Sequence, residues 1–171
     1  MAMLNPSDLI DPIAVETYAL GAAFRRHGDA LAIPTGQSQA RWQVLRLASE
    51  GTLTVPQIAR RLGVSRQNVQ RIANALIAED LAHCSDNPDH KSSPHLVLTG
   101  AGRTILHKLS DSAAEYRDLL VKTCGQVDLP LLLTQLKAMS AALAQIDARV
   151  DLLANDTPLR QTPPGKTRRA G

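Results

Sequence analysis

The sequence predicts a mostly α-helical fold interrupted by one short β-hairpin, and three observations carry that prediction. Aromatic residues make up only 2% of 171 positions, too few for a sandwich of packed strands. The good helix formers Ala, Leu, Gln and Arg are abundant instead. Apolar residues recur in steps of three and four along most of the chain, as in helices with one buried face. One polar, turn-rich stretch, Asp86 to Pro94, separates two short strand-like segments. With 44% hydrophobic and 20% charged residues, the chain has the composition of a globular protein with a core.

The elements follow in order. Met1 to Ile10 reads as an irregular lead. Asp11-Pro12 combines a capping residue with a proline suited to a first turn, so a helix starts there and runs to about His27. Ile13, Leu20 and Phe24 share one of its faces. Ile33 to Gly36 reads as a loop. A helix follows from about Ser38 to Ser49, with Trp42 and Leu45 on one face, and Glu50-Gly51-Thr52 ends it. Two short helices span Val55 to Leu62 and Ser65 to Ala78. The hairpin strands are Leu81 to Ser85 and His95 to Thr99. From Gly100 a single long helix carries Ile105, Leu109, Tyr116, Leu120 and Cys124. Gly125 breaks it, and Asp128 caps the last helix. There Leu129, Leu132, Leu136, Met139, Leu143, Ile146, Val150 and Leu153 form a heptad-like seam that needs a partner helix, in this chain or a second copy. Pro158, Pro163, Pro164 and the basic residues after them read as a flexible tail.

Charge is uneven along this plan. Residues 41 to 108 hold nine basic and five acidic side chains, whereas 1–40 and 109–155 are each net −2 and the tail after them is basic. A basic middle of this kind can mark a polyanion-binding surface. Two cysteines, Cys84 and Cys124, lack the spacing of a metal site and suit a reducing compartment. The chain opens without a secretory signal pattern. No uncharged run approaches the ~18 apolar residues of a membrane span, so a cytoplasmic protein without membrane contact is expected. Phosphate-binding loops, metal-hydrolase spacings and serine elbows are all missing, and neither an enzyme nor a cofactor is expected.

The informative segment is Thr54 to Ile72. Ile58 and Leu62 share the inner face of its first helix, and Ala59 is small enough for a second helix to cross closely. Gly63 supplies the positive φ of a tight turn, Val64 plugs that turn, and Ser65 caps the second helix. Val69, Ile72 and Leu76 anchor the second helix. Arg66, Gln67, Asn68, Gln70 and Arg71 then point outward, where Arg can read guanine and Gln or Asn can read adenine in the major groove. This is a helix-turn-helix.

With Trp42-Gln43-Val44-Leu45, Ala75-Leu76, Asp80-Leu81, Asn87-Pro88 and Leu98-Thr99-x-x-Gly102, the span from Ser38 to Leu106 resembles the multiple antibiotic resistance regulator (MarR) family of winged helix-turn-helix transcription factors. The resemblance implies a DNA-binding homodimer, with the second helix in the major groove and the hairpin as a wing. It implies dimerisation by the terminal helices, here a seam of Leu132, Leu136, Met139, Leu143, Ile146, Val150 and Leu153. The expected domains are 1–37 (N-terminal dimerisation helix and linker), 38–108 (winged helix-turn-helix), 109–155 (C-terminal dimerisation helices) and 156–171 (basic tail). The expected DNA-binding residues are Ser65, Arg66, Gln67, Asn68, Gln70, Arg71, His90 and Lys91. The wing departs from the family pattern: His90 stands where an acid is common and Ser92 where an arginine is expected. Lys91, a point charge without a planar fork, then suits phosphate better than base edges.

A repressor of a pseudo-palindromic operator, released by a small effector, is the expectation that follows. Tyr18, Arg25, Trp42 and Arg46 are candidates for the effector pocket. Cys84, His90 and His95 resemble metal ligands by type but fit no standard spacing, and no metal is expected. Cys84 near the wing is the better candidate for a thiol switch, since Cys124 falls on an apolar helix face. Two other functions compete: a weakly specific architectural DNA binder aided by the basic tail, and an adaptor that binds proteins through the C-terminal seam.

Overall fold

The structure is a computed structural model that describes residues 5–155, without the side chains of 147–149 and 151–155. Its elements are α1 (Ile10–Ala32), α2 (Gln39–Ala48), α3 (Val55–Leu62), α4 (Arg66–Ala78), β1 (Ala82–Ser85), β2 (His95–Leu98), α5 (Gly100–Ser112), α6 (Ala114–Cys124) and α7 (Leu129–Asn155). The predicted tail, 156–171, and the first four residues lie outside the described residues. The chain forms two compact units, one up to Lys122 and one from Thr123.

The first unit is built on a core of Leu45, Ile58, Leu76, Leu96, Leu98 and Leu109, each fully buried and drawn from α2, α3, α4, β2 and α5. Ala59 and Ala73 are also buried, and their small side chains let α3 and α4 cross closely. The strands pair antiparallel, with Ala82 opposite Leu98 and Ser85 opposite His95. A short third segment, unseen in the sequence, joins them: Thr54 bridges His95, and the Leu96 N–H donates to the Leu53 carbonyl at 2.9 Å. Thr54 therefore serves the sheet and also caps α3. Its side chain accepts from the Gln57 N–H, while the Gln57 side chain accepts from the Thr54 N–H at 2.7 Å.

Two helix boundaries differ from the sequence expectation. The lead is not irregular after Asn5: a 3-10 turn, Pro6–Leu9, feeds directly into α1. The operative start signal is Asn5-Pro6, with Asn5 accepting from the Ser7 N–H, and not Asp11-Pro12. Pro12 is tolerated because the first-turn N–H it lacks has no intrahelical partner in any case. The helix also runs on to Ala32, past Gly28, until Pro34 follows.

The single helix expected from 100 to 124 is two, α5 and α6, broken at Ala113. Ser110 and Ser112 bond back to the carbonyls of Leu106 and Lys108, and the Arg117 guanidinium donates to the Ser110 carbonyl at 2.9 Å. Side chains thus compete for carbonyls of the backbone ladder, and the helix bends. Across the bend, the Tyr116 hydroxyl lies 3.0 Å from Nδ1 of His27 on α1.

The second unit is α7 with its lead-in. Gly125 turns the chain at φ 38°, and Asp128 accepts from the Leu131 N–H at 2.9 Å as the expected cap. Of the seam residues, Leu132 and Met139 are half-buried, whereas Leu136, Leu143, Ile146 and Val150 are exposed. Leu153 lies outside the residues with described side chains. Leu129–Ile146 has a mean hydropathy of 1.2 and is long and apolar enough, by length and composition, to cross a membrane. Lys137 divides it into two shorter uncharged runs, 129–136 and 138–146. Alanines and off-seam leucines between the seam positions raise the average.

Candidate nucleic-acid interface

The helix-turn-helix geometry follows from three residues. Gly63 ends α3 in the left-handed region at φ 63°, which a side chain would disfavour. The Val64 N–H then closes on the Ala59 carbonyl at 3.1 Å. Ser65 is extended, and its hydroxyl accepts from the Asn68 N–H at 3.2 Å, fixing where α4 begins. Val64 itself is exposed, so the turn is held by hydrogen bonds and by Gly63 more than by a buried plug.

The register of α4 sorts its polar side chains into three rows. Arg66, Gln70 and Asn74, spaced by four, face the wing, and Gln70 donates to Asn74 at 2.9 Å. Gln67 and Arg71 point outward and are exposed. Asn68 is half-buried and turns toward α1 and α2, with its Oδ1 accepting from Arg71 at 3.3 Å. Asn68 is thus brought beside Arg71 but not onto the outward face. Asn74 joins the row, and the four-residue step from Arg66 and Gln70 was the signal for it. A guanidinium and amides on one exposed helix face can form paired hydrogen bonds with base edges.

The wing is organised by Asn87. Its amide donates to the Ser93 carbonyl at 2.8 Å, and its Oδ1 accepts from the Asp89 N–H at 3.0 Å. His90 and Lys91 sit at the exposed tip, where Nδ1 of His90 lies 3.1 Å from the Ser92 hydroxyl. Cys84 is exposed and faces Leu96 across the sheet, while Cys124 is half-buried, and neither forms a disulfide. Among the described residues no group of three or more His, Cys, Asp or Glu side chains comes together.

Between the wing, α3 and the start of α4 lies an open polar groove of ≈ 600 Å³. A second cavity, ≈ 350 Å³, lies between α1, α2 and α4 and is mainly apolar, lined by Phe24, Val44, Val69 and Ile72. Arg25 lines it, whereas Tyr18 is exposed, Trp42 packs half-buried against the core and Arg46 is exposed on α2. Gln39 also lines this cavity, and its Oε1 is buried without a hydrogen-bond partner. The Gln39 side chain lies over Gly28, where a Cβ would come within 2.0 Å of Oε1.

Residues 41–101 match the family model described as a winged helix-turn helix. The uncharacterized protein Rv2011c of Mycobacterium tuberculosis is 42% identical over 137 residues, which cover 80% of this chain and 96% of that one. Among solved structures, a mutant MarR from E. coli complexed with operator DNA superposes with a TM-score of 0.62 at 16% identity, covering 81% of this chain and 99% of that chain. NadR in complex with 4-hydroxyphenylacetate superposes with a TM-score of 0.67 at 19% identity, covering 75% and 92%. The chain therefore belongs to one family with the mycobacterial protein, built on the winged helix-turn-helix fold of the MarR transcriptional regulators.

Proposed function

We propose that the protein is a sequence-specific, DNA-binding transcriptional regulator that acts as a homodimer, and that it represses by occupying a pseudo-palindromic operator. One observation carries the reading: Ser65 and Gly63 fix α4 so that Arg66, Gln67, Gln70 and Arg71 are presented together on an exposed face beside the wing. In that setting Lys91 meets the backbone near the wing, and two copies of α4 stand about one DNA turn apart, ~34 Å. The exposed apolar residues of α7, and Ile10, Val15 and Leu20 on α1, are the surfaces that a second copy would cover. The cavity beside α4 is the candidate effector site. A small amphipathic molecule with an acidic group for Arg25 and a donor for Gln39 Oε1 suits it, and the NadR complex shows a ligand of that general kind in a similar fold.

The test is selection of random duplex DNA by the purified protein at near-physiological salt. Enrichment of an inverted repeat is the expected result. Retention without a motif would replace this reading with architectural binding. No retention, with and without small aromatic acids, would favour an adaptor that works through α7.

A further inference from the structure

Asn68 belongs to two places at once. It is half-buried on α4 and lines the mainly apolar cavity of ≈ 350 Å³ between α1, α2 and α4. Its Oδ1 also accepts from the guanidinium of Arg71, one turn further on and exposed, at 3.3 Å. Arg71 forms no ion pair among the described residues, so this amide oxygen is what orients it. A neutral amide is a weaker and more adjustable tether than the carboxylates of Glu79 and Glu50, which hold Arg41 and Arg61. The Asn68 backbone is fixed separately, because its N–H donates to the Ser65 hydroxyl at 3.2 Å. The side-chain amide can therefore turn about its soft terminal torsion without moving α4. It has one oxygen. Facing Arg71, that oxygen holds the guanidinium; turned into the cavity or pushed aside, it lets the guanidinium go.

We propose that Asn68 couples the cavity to the DNA-reading face. It is a positioning residue for Arg71, and an occupant of the cavity that moves its amide relaxes the base preference of Arg71. The inference rests on the DNA-binding and effector-site readings above and adds a route between them. In this route the occupant alters preference at one position of each half-site, while the spacing between two copies of α4 stays as it is. The physical cause is ordering. A released Arg71 has to lose its rotamer freedom on the DNA, whereas an Arg71 held by Asn68 is ordered beforehand.

The experiment is selection from random duplex DNA by the full chain, read as base frequencies at each motif position. Wild type is compared with Arg71→Ala, Asn68→Ala and Asn68→Asp. Two variants that fill the cavity from its α2 wall, Ala40→Leu and Gln43→Phe, stand in for an occupant. Ala40 is exposed and Gln43 half-buried, so either can be enlarged without overpacking the core. Thermal unfolding checks that each variant is folded. Arg71→Ala marks the position that Arg71 reads. Asn68→Ala should lower discrimination at that position by roughly 2- to 12-fold and leave the other positions as in wild type. Asn68→Asp, which keeps an acceptor oxygen, should retain the preference. At least one filled variant should reproduce the Asn68→Ala pattern. The proposal is overturned by wild-type preference in Asn68→Ala, by an equal loss in Asn68→Asp, by no lost position in Arg71→Ala, or by wild-type preference in both filled variants. Wild-type protein that enriches no motif overturns the sequence-specific DNA-binding reading, and this inference with it.

Discussion

Gly102 sits where the first turn of α5 meets Leu81, in the segment between α4 and β1, and no side chain fits there. A Cβ at this position would lie 1.9 Å from the Leu81 carbonyl oxygen, and real Cβ atoms essentially never approach closer than 3.0 Å. Gly102→Ala must therefore open the contact by about 1.1 Å, the difference between 1.9 and 3.0 Å. The obstacle is backbone and is held from both sides. Leu81 donates to the Leu76 carbonyl at 2.8 Å, and its own carbonyl accepts from Thr99 at 3.2 Å. The Thr99 hydroxyl meanwhile donates to the Asp80 carbonyl at 2.7 Å and accepts from the Gly102 N–H at 3.0 Å. Lifting α5 strains all of these and loosens Leu98 and Leu109 beneath. Overpacking of this kind costs about 1–3 kcal/mol, and a weakened hydrogen bond costs about 1 kcal/mol more. The gain in helix propensity offsets at most about 1 kcal/mol. The net expectation is a loss of about 1–3 kcal/mol, a sizeable share of the ~5–15 kcal/mol that holds a domain folded. Urea unfolding at fixed protein concentration measures it. Gly100→Ala is the matched control, because a Cβ there meets nothing within 4 Å. Equal stabilities for the two variants would refute the reasoning.

Three further outcomes are expected. Ser65→Ala should destabilise by about 1 kcal/mol in the same assay through loss of the α4 cap, whereas Gln67→Ala, at an exposed position, should stay within about 0.5 kcal/mol. Asn87→Ala should leave global stability within about 0.5 kcal/mol yet speed amide exchange at Asp89, because the Asx turn that organises the wing is gone. Leu136→Lys with Leu143→Lys, both exposed on α7, should shift sedimentation toward the monomer; unchanged sedimentation would place any self-association elsewhere.

The helix-turn-helix was legible because each of its residues answers a local demand. Gly63 is needed for a positive φ, Ser65 for a cap, and Ala59 for a close crossing, and all of these are short-range. The parts that were not legible depend on partners distant in sequence. The bridge from Thr54 to His95 joins positions 41 residues apart. The break at Ala113 depends on which carbonyl Arg117 reaches, and nothing in the apolar period of 100–124 reports that. Asn68 was assigned outward by type, whereas a helix face is set by register, and register turns it toward α1 and α2.

The wing has a consequence for how such a protein can change over generations. Its loop is closed at the ends: Asn87 reaches Ser93, and the His90 and Ser93 N–H groups bond to the carbonyls of Asn87 and His90. These contacts use backbone at the tip and one side chain at its root. Pro88 to Ser92 are exposed, and none of them belongs to the core. Substitutions at Asp89, His90 and Lys91 can accumulate there with little effect on folding while altering the charge the tip presents. A lineage can thus retune how strongly the wing grips a polyanion one residue at a time, while Asn87 keeps the loop in shape.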